Sequence, residues 1–183
     1  MNAFAAVSNN EYGTVSEVDT VRFQRVLPGP IERVWEYLTD PEMRATWLAG
    51  GPIELRSGGK MELHFRHADL TTPSDPCPPK YKNMEGGVKL AGRVVRCEPP
   101  RLFSHTWSGE SGQESEVTFE LTPRGKEVLL TLTHRRLSRE AMRSVAPGWH
   151  THLGVLEARL ADTAMLPFWA TYTKLADEYE KRL

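Results

Sequence analysis

The chain has 183 residues, 39% hydrophobic and 26% charged, which suits one domain with a sizeable core and excludes a disordered composition. Its formal net charge is −1 with both signs interspersed, so neither nucleic acid nor a membrane surface is an expected partner. Two cysteines outside any CxxC motif (Cys77 and Cys97) read as free thiols of a reducing compartment, and with no leader-like start and no long apolar run the expected location is the cytoplasm.

Residues 1–18 are polar and aperiodic and read as a flexible tail; 19–183 read as a single domain. A strand is predicted over 19–27, where Val21, Phe23 and Leu27 alternate with polar Arg22 and Gln24. Pro28-Gly29-Pro30 stops it, and Pro30 suits the first turn of a helix. Ile31, Val34, Trp35 and Leu38 then fall at i, i+3, i+4 and i+7, one apolar helical face. Asp40-Pro41, a cap followed by proline, starts a shorter helix that ends near Trp47.

After the turn at Ser57-Gly58-Gly59, Met61, Leu63 and Phe65 alternate with Glu62, His64 and Arg66. The alternation fails over 68–85, where Pro73, Pro76, Pro78 and Pro79 exclude a regular element; this stretch is expected to be a mobile lid. Strands resume over 88–97 and 102–107, separated by Glu98-Pro99-Pro100 and followed by a loop from Ser108 to Gly112. Val117, Phe119 and Leu121 form the next strand face, and Pro123-Arg124-Gly125-Lys126 connects it to Val128, Leu130, Leu132 and His134. Pro147-Gly148 is read as the start of a closing helix with the stripe Trp149, Leu153, Leu156 and Leu160. Beyond Pro167, Phe168, Tyr172, Leu175 and Tyr179 mark a helical extension over 168–183. Strands first and the long helix last give an α+β domain: a curved antiparallel sheet with that helix across its concave face and a cavity between them.

Pro30-Ile31-Glu32-Arg33-Val34-Trp35, Leu38-Thr39-Asp40-Pro41 and Trp47 resemble the opening of the activator-of-heat-shock-ATPase-like branch of the START/SRPBCC superfamily. Gly87, Glu98-Pro99-Pro100-Arg101-Leu102 and Thr106-Trp107 are similar to its middle strands. Thr133-His134-Arg135-Arg136-Leu137, Gly148-Trp149-His150 and Leu153 are similar to its end. The resemblance implies a helix-grip fold, a curved sheet wrapped around a long C-terminal helix, and covers about 21–166. It says little about activity, because the superfamily holds lipid and hormone binders, cyclases, resistance proteins and co-chaperones of the stress response.

The histidines do not read as a metal site. His150 and His152 lie about 200° apart on a helix, His64 and His67 are read as facing opposite sides of a strand, and no HExxH motif or cysteine pair occurs. No metal and no cofactor are expected, and no catalytic residue is assigned. His134 continues an inward apolar face, His105 shares parity with Phe103 and Trp107, and His152 borders the closing helix's stripe. The function read from this pattern is binding of a small, largely apolar ligand, aromatic or lipid-like. The expected wall comprises Leu63, Phe65, Phe103, Trp107, Val117, Phe119, Leu132, Trp149, Leu153 and Leu156, with polarity from His105, His134 and His152, of which His134 is the main polar group. Two alternatives stand: a cyclase-, aromatase- or hydrolase-like enzyme using the cavity histidines, and a co-chaperone-like interaction module. A homodimer and a chaperone partner stay open.

Overall fold

The computed structural model describes residues 7–108 and 114–183. The expected tail residues 1–6 and the loop residues 109–113 lie outside the described part. Alternating side chains produce seven strands: β1 (Thr14–Glu17), β2 (Thr20–Pro28), β3 (Lys60–Phe65), β4 (Val88–Glu98), β5 (Leu102–Ser108), β6 (Glu114–Arg124) and β7 (Glu127–Arg135). They form one antiparallel sheet in the order β1-β2-β7-β6-β5-β4-β3. β2 and β7 are neighbours, with Val21 opposite His134 and Phe23 opposite Leu132, so the two ends of the main sequence pattern meet at the centre of the register. The expected α+β helix-grip architecture is the one observed.

Helices α1 (Ile31–Thr39) and α2 (Pro41–Ala45) connect β2 to β3. The Asp40 carboxylate caps α2 by accepting from the N–H groups of Glu42 and Met43 at 2.9 and 3.0 Å. The long helix α3 (Arg139–Ala161) crosses the sheet, and α4 (Phe168–Arg182) packs on α3. The crossing is visible in ring contacts within a single turn of α3: His150 meets Phe23 of β2, Trp149 meets Phe119 of β6 and Trp107 of β5, and His152 meets Phe65 of β3. Among the described residues no helix is long and apolar enough to cross a membrane.

Three expectations need correction. First, α3 starts at Arg139, not at Pro147-Gly148. The Ser138 hydroxyl caps it by accepting from Ala141 N–H at 3.1 Å, and Pro147 sits inside the helix. A proline there removes one helical hydrogen bond, but burial of Met142 and Ala146 on the preceding turns offsets the loss. The basic residues around this start are tied to acceptors: Arg135 and Arg136 face Glu116, Arg143 faces Glu180, and Arg139 donates to the Leu183 carbonyl.

Second, the described part of the 1–18 tail is built into the fold. β1 pairs with β2, and the Asn9 carboxamide mimics a further strand residue, donating to Val26 O at 2.8 Å and accepting from Val26 N–H at 2.7 Å. Gly13 N–H donates to the Tyr179 hydroxyl at 2.7 Å. A Cβ at Gly13 would stand 2.4 Å from the Phe23 ring, so only glycine permits this approach. The Tyr12 ring carries the Arg182 guanidinium 3.8 Å from its centroid. These contacts are long-range and need no periodicity, which is why the sequence pattern does not reveal them.

Third, the segment expected as a mobile lid is tied down. It contains short 3-10 turns at His67–Asp69 and Pro79–Met84. α4 begins after Pro167, which has no capping side chain, so its first N–H groups are satisfied from this segment. Asp75 accepts from Trp169 N–H at 3.1 Å and Ala170 N–H at 2.7 Å, and Thr71 Oγ1 accepts from Phe168 N–H at 3.3 Å. Tyr81 stacks on Trp169 with ring centroids 5.7 Å apart.

Candidate functional site

Strand parity turns Leu63, Phe65, Phe103, His105, Trp107, Val117, Phe119, Leu132 and His134 toward α3, which answers with Trp149, His152, Leu153 and Leu156. All are buried except Trp107, which is half-buried. The expected wall residues therefore do share one interior. Rings pack against one another through the space where a cavity is expected. Trp107 lies 5.3 Å from Trp149 and 5.6 Å from Phe65, and Phe119 meets Trp149 edge-on at 5.8 Å.

His134 is satisfied by the protein. Indole Nε1–H of Trp149 can only donate, and it donates to His134 Nδ1 at 3.0 Å. The neutral ring therefore carries its proton on Nε2, which faces the Ser115 hydroxyl at 2.8 Å, while that hydroxyl donates to Trp107 O. Protonation would break the Trp149 bond in a fully buried site. Burial, followed by the neighbouring His105, pushes the His134 pKa down to about 3. His134 is thus an internal fastener, with no nitrogen left free to be the main ligand contact expected of it.

The remaining histidines differ in what they leave free. His152 Nδ1 lies 2.8 Å from Trp47 O, so it carries the proton, and burial with His67 nearby lowers its pKa to about 3. His105 Nδ1 faces Thr106 O at 2.9 Å and likewise carries the proton. That makes His105 Nε2 a lone-pair acceptor, and it is buried without a partner. Burial, outweighing its Thr106 hydrogen bond and helped by the Arg44 charge, lowers the His105 pKa to about 4.

Sequence reasoning missed His67. It lies beyond the end of β3, is 7% exposed, and packs 5.0–5.8 Å from Phe65, His152, Phe168 and Trp169. Its Nδ1 is also buried and unpartnered, and burial lowers its pKa to about 4. The signal was present: His67 keeps the parity of Met61, Leu63 and Phe65. Phe168 and Trp169 were assigned to an extension but close the same interior, and no local pattern shows that. Among the described residues no three His, Cys, Asp or Glu side chains are placed to hold one metal ion.

A model of the Activator of Hsp90 ATPase homolog 1-like protein family matches residues 28–161, most of the domain just described. The chain belongs to this family. A Bordetella parapertussis protein, encoded by gene BPP1335 and solved by NMR, is 44% identical over 100% of this chain and 96% of its own, with a TM-score of 0.82. CalU16 from Micromonospora echinospora shares the fold at 22% identity, covering 88% of this chain and 86% of its own, with a TM-score of 0.67. A Rhodobacter sphaeroides structure does so at 23% identity over 82% of this chain and 97% of its own, with a TM-score of 0.61. No functionally curated protein matches the sequence.

The interior of this Activator of Hsp90 ATPase homolog 1-like domain is rich in rings and neutral imidazoles. A histidine with a pKa of about 3–4 is a weak base near neutral pH, which disfavours proton abstraction. What such a ring can do well is accept a hydrogen bond.

Proposed function

We propose that the protein binds a small, largely apolar, ring-bearing molecule between α3 and the sheet, with His105 Nε2 accepting a hydrogen bond from a ligand hydroxyl or N–H. The observation that carries this reading is the fully buried, unpartnered His105 Nε2 among Phe103, Trp107 and Phe119. An orphaned buried acceptor costs about 1–3 kcal/mol, which a ligand donor would recover. Entry is placed at Trp169. Its ring touches His67 on the interior side at 5.1 Å, and on the outer side it lines an open groove of about 620 Å³ with Asp75, Pro76, Pro78 and Lys174. Turning Trp169 and Tyr81 aside would join the groove to the interior.

The closed packing of the rings favours the second reading, a co-chaperone-like interaction module. That module needs an exposed apolar face. The exposed large hydrophobic residues described (Val15, Val18, Leu55 and Leu166) fall on three separate parts of the chain. The ligand reading is therefore preferred.

The test is tryptophan-fluorescence titration of the purified protein with naphthalene and 2-naphthol, alongside native mass spectrometry for a co-purifying molecule. The expected result is saturable quenching by both probes, with 2-naphthol bound about tenfold more tightly, the worth of one buried hydrogen bond. His105→Phe should abolish that difference. Absence of saturable binding by either probe, with no co-purifying molecule, would overturn the proposal.

A further inference from the structure

Resting on the interior site proposed above, a second buried group narrows its ligand. Arg44 of α2 is 1% exposed. Its Nε donates to Ala49 O at 2.9 Å, and its Nη2 donates to Gly51 O at 2.7 Å and Gly50 O at 3.2 Å. Those bonds account for two of the three nitrogens as ties for the turn that follows α2. Nη1 is buried and has no partner.

The charge has no contact partner either, although Asp40 at the start of α2 acts on it from a distance. Among the described residues no carboxylate pairs with Arg44 within 4.0 Å. Burial lowers its pKa only to about 10, so it stays charged at neutral pH. An unpaired buried charge is costly, more so than an unpaired neutral group. Carbonyl dipoles soften that cost but leave one positive charge in the interior.

Arg44 reaches the wall strand β3, where its Nη2 lies 3.4 Å from the carbonyl of Glu62, between the buried Met61 and Leu63. The Arg44 charge acts on His105. Three residues further on, Trp47 packs edge-on against Phe119 at 6.4 Å and its carbonyl binds His152. An unpartnered donor with a full charge and an unpartnered neutral acceptor thus serve one ring-lined space.

We infer that the ligand of this interior is an anion, an aromatic carboxylate whose carboxylate group pairs with Arg44 Nη1 while its rings lie among Phe103, Trp107 and Phe119. One free guanidinium nitrogen matches a single monovalent group. A phosphate dianion would need further donors. The other fully buried guanidinium, Arg25, also keeps one unpartnered nitrogen, Nη2, but its surroundings belong to β2, α3 and α4: it donates to Gln24 O, lies over Phe23, and has Tyr179 and Glu157 acting on its charge.

The experiment compares 2-naphthoate with its neutral isostere 2-naphthamide on the wild-type protein, because Arg44 variants would also lose the ties to Ala49, Gly50 and Gly51. Affinities are measured by isothermal titration calorimetry, and the Arg44 side-chain resonances are followed by ¹⁵N NMR. The expected result is at least about tenfold tighter binding of naphthoate, in the range of a charge-assisted hydrogen bond, with Arg44 resonances moved by naphthoate and not by the amide. Equal affinity for the two probes would overturn the inference while leaving the interior site standing. So would a preference for naphthoate that leaves the Arg44 resonances unmoved, since the anion would then sit elsewhere. Failure of both probes, together with failure of naphthalene and 2-naphthol, would remove the interior site and this inference with it.

Discussion

Acidification is expected to unfold this protein well above the range in which carboxylates titrate. Five histidines, His67, His105, His134, His150 and His152, have folded pKa values depressed to about 3–4 from 6.5, with burial the main cause for each. Because the folded value is the lower one, the unfolded chain binds the extra protons. The stability these rings contribute is fully present above about pH 6.5 and is lost as pH falls toward 4. Between pH 7.5 and 5.5 each unfolded imidazole gains nearly a full proton that its folded counterpart refuses. Linkage makes that about 1.4 kcal/mol per ring, or about 7 kcal/mol for the set. Domains are stable by roughly 5–15 kcal/mol, so the loss is enough to threaten the fold. Urea unfolding followed by tryptophan fluorescence at half-unit pH steps measures it directly. Near pH 5.5 the slope of stability against pH should correspond to four to five protons, about 6 kcal/mol per unit. A slope of one proton or less, or imidazole signals titrating near 6.5 in the folded protein, would refute the account of these rings as buried and neutral.

Trp149→Phe keeps most of the ring but leaves His134 Nδ1 without its donor; a loss of about 1–3 kcal/mol in urea unfolding is expected. Asp75→Ala removes two N–H acceptors from the start of α4; it should cost about 1 kcal/mol and speed hydrogen exchange in the first turn of that helix. Asn9→Ala removes the carboxamide that pairs with Val26 and Glu157; calorimetry should find it destabilised by about 1–2 kcal/mol, whereas a loose tail would give no change. Gly13→Val should destabilise as well, through collision with Phe23 and loss of the Tyr179 contact, and a melting temperature equal to wild type would contradict the docking of this segment.

Much of the architecture was legible because burial imposes period on sequence. The alternation of Val21, Phe23 and Leu27, of Leu63 and Phe65, and of Leu130, Leu132 and His134 specifies which face of each strand is buried, whatever the neighbours turn out to be. The same parity placed His105 and His134 in the interior, and the stripe on α3 brought Trp149 and His152 to meet them. Parity has no information about partners. It could not distinguish His134, whose two nitrogens are both engaged, from His105, whose Nε2 is free. That difference arises from which donors lie across the sheet–helix interface. Nor could local pattern show that Arg44, on a short and mostly polar helix, folds its guanidinium under the turn it caps. The docking of Asn9, Asp75 and Trp169 is equally invisible locally, since each meets residues more than 10 positions away in sequence through single hydrogen bonds or ring contacts. The sequence by itself determined the sheet, the order of its strands' buried faces and the aromatic character of the interior, because these follow from side-chain period and hydrophobicity. Only the tertiary structure decided which buried polar atoms are satisfied and which are left without a partner, because hydrogen bonds depend on distances between segments that the chain brings together only when folded.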